Sequence, residues 1–108
     1  MSKVIAKLVR DKIPEVIRKD GREPIVRTIS GEVLDEALNA KLIEEHKEFL
    51  AASDSKEKLE ELADILEVVF GLTKKIGATK EDLFAVCDKK RAARGGFEQG
   101  VFFEGYKE

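Results

Sequence analysis

The 108-residue sequence has one cysteine, two prolines and no tryptophan. It also has no run of the roughly 18 apolar residues that a membrane helix needs. The single cysteine, Cys87, excludes an internal disulfide and favours a reducing compartment; we expect it to be a small core residue. The first residues do not contain the apolar core of a signal peptide. We therefore expect a cytoplasmic protein with no membrane association.

Charge is plentiful but nearly balanced, with 20 basic and 22 acidic residues. This balance does not favour stable nucleic-acid binding. Because 39% of the residues are charged and 43% are hydrophobic, the core must lie on narrow stripes of amphipathic elements. Residues 1–29 carry a net charge of +4, residues 30–68 of −8 and residues 69–108 of +2. An acidic middle between basic ends is a clue to function.

The hydrophobic periodicity predicts one all-α domain over residues 1–108, a bundle of three main helices plus a short N-terminal helix. Asp11 can cap the short helix, and Thr79 can begin the last helix as part of a capping box. Gly71 lies inside a helix, which suggests close helix packing there. We expect the aromatic-rich tail to pack back on the helices. The predicted helices span residues 13–19, 30–52, 56–76 and 80–93.

Two pairs of carboxylates fall on helix faces that should turn inward. At about 100° per residue, Glu45 lies on the same face as Leu38, and Glu48 lies about 60° from Glu45. Glu61 and Asp64 repeat this arrangement in the second long helix. Each long helix therefore places a carboxylate pair with i,i+3 spacing on its apolar side.

Buried carboxylates lose hydration free energy on the order of several kcal/mol, and they also repel one another. The nearby Lys47 and Lys58 are expected to point elsewhere, so neighbouring cations give these carboxylates poor local relief from their repulsion. A divalent cation bound by oxygen ligands from facing helices would remove the repulsion, and Mg²⁺ suits such ligands. The alternative is a solvated acidic face, but two inward pairs favour the metal site.

The basic ends suggest a phosphate ligand. Lys90 and Arg94 close the third main helix, and Arg10 and Lys12 lie near the start of the chain. Cations at a helix C-terminus also stabilise the helix dipole, and Gly95 is an ordinary C-cap, so a purely structural role is the alternative. Polyphosphates need both a metal and cationic side chains, and the sequence offers both.

The residues quoted so far resemble a known group of enzymes. Glu44-Glu45-His46-Lys47-Glu48 followed by Glu61-Leu62-Ala63-Asp64 is similar to the EExxE…ExxD signature of the all-α nucleoside triphosphate pyrophosphohydrolases. This group includes the MazG-like, dimeric dUTPase-like and phosphoribosyl-ATP pyrophosphohydrolase enzymes. The runs KLVRDKIP at 7–14 and KRAARGGF at 90–97 resemble the phosphoribosyl-ATP pyrophosphohydrolase-like, MazG-related branch.

The resemblance implies a helical bundle completed by assembly into a homodimer or homotetramer, with active sites at or near the subunit contacts. It implies Mg²⁺, which Mn²⁺ could replace, bound by four carboxylates and supported by Glu44. The implied reaction is attack by water on a nucleoside triphosphate, which releases the monophosphate and pyrophosphate. The four implied metal ligands are Glu45, Glu48, Glu61 and Asp64.

The charges suggest roles within that reaction. Glu44 or Glu48 would accept or orient a proton of water, while Lys90 and Arg94 would stabilise charge on the phosphates. Two alternatives stay open. The chain could instead be a phosphoribosyl-ATP pyrophosphohydrolase of histidine biosynthesis, or a non-catalytic helical interaction module with a solvated acidic face.

Overall fold

A computed structural model describes residues 6–108, and these residues form four helices and no strand. The all-α class is therefore confirmed, with boundaries close to the predicted ones. The helices are α1 (Ile13–Lys19), α2 (Gly31–Ala51), α3 (Ser55–Lys75) and α4 (Lys80–Arg94).

Side-chain caps begin α3 and α4, and the cap of α4 is the predicted one. The Asp54 carboxylate accepts a 2.8 Å hydrogen bond from the backbone N–H of Glu57. Thr79 and Asp82 form the reciprocal capping box at the start of α4. The predicted cap of α1 by Asp11 is wrong, because α1 begins after Lys12 with no side-chain cap. A proline in the first turn of α1 already fixes the backbone for the helix.

Helices α2 and α3 form an antiparallel hairpin that contains the core. Lys75, at the end of α3, pairs with Asp35, near the start of α2, at 3.3 Å. Leu38 and Val68 are the buried apolar side chains. A Cβ atom at Gly71 would lie 2.9 Å from Leu38 Cδ2, so the missing side chain permits the close approach of the helices. This contact confirms the close packing predicted at Gly71.

Helix α4 packs less closely than the hairpin. It contacts α3 alone, where the rings of Phe70 and Phe84 meet edge to face with centroids 5.9 Å apart. The predicted packing of the tail back on the helices is wrong, because Phe97 is 99% exposed and Tyr106 is 91% exposed. Cys87 is also exposed, so its predicted place in the core is wrong.

The chain is extended for its length. Its radius of gyration is 18.3 Å, whereas a compact domain of this size has about 13 Å. Large apolar side chains stay exposed on the hairpin, including Leu59 at 69% and Leu50 at 63%. The fold therefore buries little apolar surface within one chain. Between residues 6 and 108, no helix has the length and apolar character needed to cross a membrane.

Candidate metal centre

The hairpin brings together three of the four carboxylates that the sequence predicts as metal ligands. Glu45 comes from α2, while Glu61 and Asp64 come from successive turns of α3. One oxygen of each carboxylate lies within 4.8 Å of the others. Two oxygens on opposite sides of a Mg²⁺ ion are about 4 Å apart, so small side-chain movements would let this group share one ion. We call Glu45, Glu61 and Asp64 the carboxylate cluster.

Glu61 shows that the cluster is short of positive charge. Its Oε2 atom is buried and has no hydrogen-bond partner among residues 6–108. Burial raises the pKa of Glu61 above its ordinary value, and a hydrogen bond to Glu45 and the charges of Glu45, Asp64 and Glu48 raise it further. A buried carboxylate oxygen without a donor is unfavourable, and a hard divalent cation is the ligand that it suits. The donor set therefore fits Mg²⁺ or Mn²⁺.

Glu48, the fourth predicted ligand, stands at the edge of this group. Its side chain is exposed and is not part of the carboxylate cluster. It lines a shallow depression together with Glu57, Glu60 and Glu61, directly beside the cluster. Its charge is close enough to raise the pKa of Glu61. Glu48 can thus approach a bound ion or its water from the solvent side.

Lys41 lies against the cluster and was missed by the sequence analysis. Its Nζ atom is 3.2 Å from Glu45 Oε1 and 3.3 Å from Glu44 Oε2, and its side chain is only 16% exposed. The expectation of poor local relief was therefore wrong for α2. The signal was present in the sequence, because Lys41 precedes Glu44 and Glu45 by three and four residues, the spacing of neighbours on a helix.

The segment before α1, residues 6–12, contacts the cluster through Arg10. Arg10 Nη2 is 2.6 Å from Asp64 Oδ1, and Arg10 Nη1 is 3.8 Å from Glu67 Oε1. Lys7 Nζ is 3.5 Å from Glu44 Oε1. The structure therefore brings Arg10, a predicted phosphate ligand, to the carboxylates. It adds Lys7 and Glu67 as neighbours that spacing alone did not identify.

The other predicted phosphate ligands are not paired with the cluster in the described part of the chain. Lys12, Lys90 and Arg94 are exposed. Within residues 6–108, none of them forms an ion pair with another side chain. At the end of α4 it is Arg91 that is paired, with Glu98. The predicted phosphate ligands of α4 are therefore free of ion pairs to the carboxylate cluster within residues 6–108.

Comparisons with known proteins agree with this geometry. A family model described as phosphoribosyl-ATP pyrophosphohydrolase matches residues 12–91, a span that includes every carboxylate of the cluster. An uncharacterized protein of Mycolicibacterium smegmatis (strain ATCC 700084 / mc(2)155) is 50% identical over 56 residues, which are 52% of this chain and 57% of that protein. The chain thus spans little more than half the length of this curated relative. No solved structure matches the chain.

Proposed function

The chain belongs to the phosphoribosyl-ATP pyrophosphohydrolase family, and on that premise we propose that it is a Mg²⁺-dependent nucleotide pyrophosphohydrolase. Its substrate would be a nucleoside triphosphate, and its products the monophosphate and pyrophosphate. The observation that carries the proposal is the carboxylate cluster, with its three oxygens within 4.8 Å and the unpaired buried oxygen of Glu61. No hydrogen-bond donor within residues 6–108 contacts that oxygen, and a divalent cation would supply the missing positive partner.

The cluster would hold the ion, with Glu45 from α2 facing Glu61 and Asp64 from α3. Glu48 would complete the ligand set from the solvent-exposed edge. A bound divalent cation neutralises phosphate oxygens and lowers the pKa of a coordinated water. The half-exposed positions of Glu61 and Asp64 leave room for phosphate oxygens beside the protein ligands.

Glu44 is suited to receive the proton of the attacking water. Its carboxylate lies between Lys41 at 3.3 Å and Lys7 at 3.5 Å, and it is adjacent to the ligand Glu45. Two ammonium groups at these distances hold such a carboxylate in place. The water oxygen forms a bond to phosphorus and its proton passes to Glu44. The bond between the attacked phosphorus and the oxygen that bridges the α- and β-phosphates then breaks. Its electron pair stays on that oxygen, which leaves with the departing phosphate group. Glu48 is the second carboxylate able to take this proton.

Arg10 would bind phosphate oxygens from the segment over the cluster, with Lys12 nearby in sequence. Lys90 and Arg94 would add charge from α4, at a site completed by a second copy in a homodimer or homotetramer. Exposed apolar side chains on the hairpin, such as Leu59 and Leu50, support such assembly. Guanidinium groups bind phosphate oxygens in pairs, which suits Arg10 and Arg94 to this role.

A second candidate is phosphoribosyl-ATP pyrophosphohydrolase activity. The description of the matching family model favours it, because it names that reaction. The bond cleaved is of the same kind, and the two candidates differ in the adenylate or other nucleotide that the site accepts. The same carboxylates would serve both reactions.

A pyrophosphate-release screen tests the proposal. It would compare canonical, deoxy and oxidised nucleoside triphosphates with phosphoribosyl-ATP, each with Mg²⁺ and with a chelator. We expect release with at least one triphosphate in Mg²⁺ and none in chelator. A Glu45→Gln protein purified in the same way controls for contaminating phosphatases.

The same screen separates the enzyme from a non-catalytic helical module. Such a module would turn over no nucleotide, and Mg²⁺ with a non-hydrolysable nucleotide would not raise its melting temperature. An enzyme is stabilised by ligands that bind only its folded state. Absence of both turnover and stabilisation would reject the proposed function.

A further inference from the structure

Arg10 is the exposed cation of the carboxylate cluster. Its guanidinium makes a 2.6 Å contact with Asp64 and a 3.8 Å contact with Glu67, yet its side chain is 52% exposed. It lies in the segment that precedes α1, and α1 contacts none of the other helices. Arg10 can therefore turn away from Asp64 without disturbing the hairpin.

Lys41 provides the contrast. It is carried by α2, its side chain is only 16% exposed, and it lies between Glu44 and Glu45. If Lys41 moved away, the buried Glu45 would lose the lysine that pairs with it, and Glu44 would keep only Lys7. Of these two cations, only Arg10 can exchange its partner at low cost.

Asp64 cannot pair with Arg10 and bind a divalent cation equally well at the same time. A metal ion on the cluster would place two positive charges close to the guanidinium of Arg10, and like charges at such distances repel. A nucleotide brings phosphate oxygens to the same place, and guanidinium groups bind these in pairs. The preferred partner of Arg10 therefore depends on what the cluster holds.

We propose that Arg10 is a displaceable counter-ion: it neutralises Asp64 while the cluster holds no cation, and it turns to the phosphate of the substrate when a cation is bound. This inference rests on the proposed function. It makes Arg10 a residue whose two partners compete, so its removal should change metal binding and phosphate binding in opposite directions.

Binding measurements test this without turnover. Mn²⁺ affinity would be measured from the electron paramagnetic resonance signal of free Mn²⁺. Inorganic pyrophosphate affinity would be measured by calorimetry at saturating Mn²⁺, because this probe contains no base. The variants are Arg10→Ala and Arg10→Lys. The matched control is Arg18→Ala, which removes another exposed arginine paired with a glutamate, Glu23, at 3.3 Å.

Arg10→Ala should bind Mn²⁺ alone about three- to tenfold more tightly, because a repelling charge is gone. It should bind pyrophosphate about tenfold more weakly, because a charge-assisted contact is gone. Arg10→Lys should keep an Mn²⁺ affinity close to that of the wild type and still lose pyrophosphate affinity, since an ammonium cannot make the paired contact. Arg18→Ala should match the wild type in both measurements.

Weaker Mn²⁺ binding by Arg10→Ala would mean that Arg10 merely positions Asp64, and it would overturn the inference. Unchanged Mn²⁺ binding would overturn it as well. Tighter Mn²⁺ binding without loss of pyrophosphate affinity would also reject it, because Arg10 would then never move to phosphate. Failure of the wild type itself to bind Mn²⁺ would instead remove the proposed function, so the two failures are distinguishable.

Discussion

The α2–α3 hairpin and the C-terminal region, residues 80–108, differ in how far their side chains are buried. Every buried side chain of residues 6–108 lies on the hairpin, whereas α4 has none. The hairpin assembles the carboxylate cluster from its own two helices. Within the described residues 6–108, the predicted phosphate ligands of α4 form no ion pair. The two hairpin helices thus bring the carboxylate cluster together within one chain, while the predicted phosphate ligands of α4 are exposed.

The difference has a physical cause. A short connection at residues 52–54 places α2 and α3 side by side, and Gly71 lets them approach closely. Helix α4 has a good capping box but meets α3 mainly through one ring pair, Phe70 and Phe84. Capping stabilises a helix without fixing its position, and position requires packing.

The largest expected effect is on the hairpin. Glu45→Gln or Asp64→Asn removes a charged ligand, so we expect kcat/KM for pyrophosphate release to fall by about a hundredfold or more. Helical circular dichroism should not change. Glu36→Gln, an exposed glutamate on α2, is the matched control and should keep full activity. Full activity in both ligand variants would show that catalysis does not need the carboxylate cluster. The hairpin would then contribute no more to activity than α4.

A smaller effect is expected in α4. Lys90→Ala and Arg94→Ala should each lower kcat/KM by about tenfold, mainly through KM, because each removes one cationic contact to phosphate. Lys89→Ala removes a neighbouring exposed charge and should have little effect. If all three variants behave alike, the basic run serves the helix terminus, where Gly95 adopts φ +80°, rather than the substrate.

The hairpin and its carboxylate cluster were predictable because they depend on local rules. Helical periodicity placed Glu45, Glu61 and Asp64 on facing sides, and the spacing of α2 and α3 left one way to join them. Arg10 at Asp64 was not predictable, since that contact joins residues 54 positions apart through an irregular segment. Periodicity gives no information about where such a segment lies.

The tail after α4 is a second region whose position the sequence did not predict. Its apolar composition predicted that it would be buried, but composition does not identify the surface against which it would pack. Phe103 and Tyr106 pack against each other, with ring centroids 5.3 Å apart, but both remain exposed to solvent. Lys41 is a different kind of error, because its helical spacing to Glu44 and Glu45 was available in the sequence.

The pH dependence of folding stability tests how Glu61 is accommodated in the hairpin without a metal. The pKa of Glu61 is raised by burial and by neighbouring carboxylates, so the folded, metal-free protein holds this proton more tightly than the unfolded chain does. The resulting stability is present below the ordinary glutamate pKa of about 4.3 and is lost as the pH rises through the folded-state pKa.

Glu61→Gln should therefore raise the melting temperature in chelator at pH 7 and have little effect near pH 4. The same variant should lose the stabilisation that Mg²⁺ gives the wild type. Glu36→Gln is again the control, and its melting curve should follow that of the wild type at both pH values. A Glu61→Gln protein less stable than the wild type at pH 7 in chelator would mean that this carboxylate is well accommodated without a metal.

The smallest expected effect tests the packing that holds the hairpin together. Gly71→Ala places a Cβ atom 2.9 Å from Leu38 Cδ2. Overpacking a core costs about 1–3 kcal/mol, while replacing a helical glycine by alanine gains about 1 kcal/mol, so we expect a net loss of about 1 kcal/mol in denaturant unfolding.

Leu38→Ala supplies the second arm of a double-mutant cycle. This change lowers stability by opening a cavity, but it also removes the methyl group that Gly71→Ala would meet. In that background Gly71→Ala should become stabilising, because only its gain in helix propensity remains. If Gly71→Ala instead stabilises both backgrounds equally, the helices do not approach closely at this glycine. The hairpin would then be as loosely packed as α4, and its rigidity could not explain why the carboxylate cluster forms within one chain.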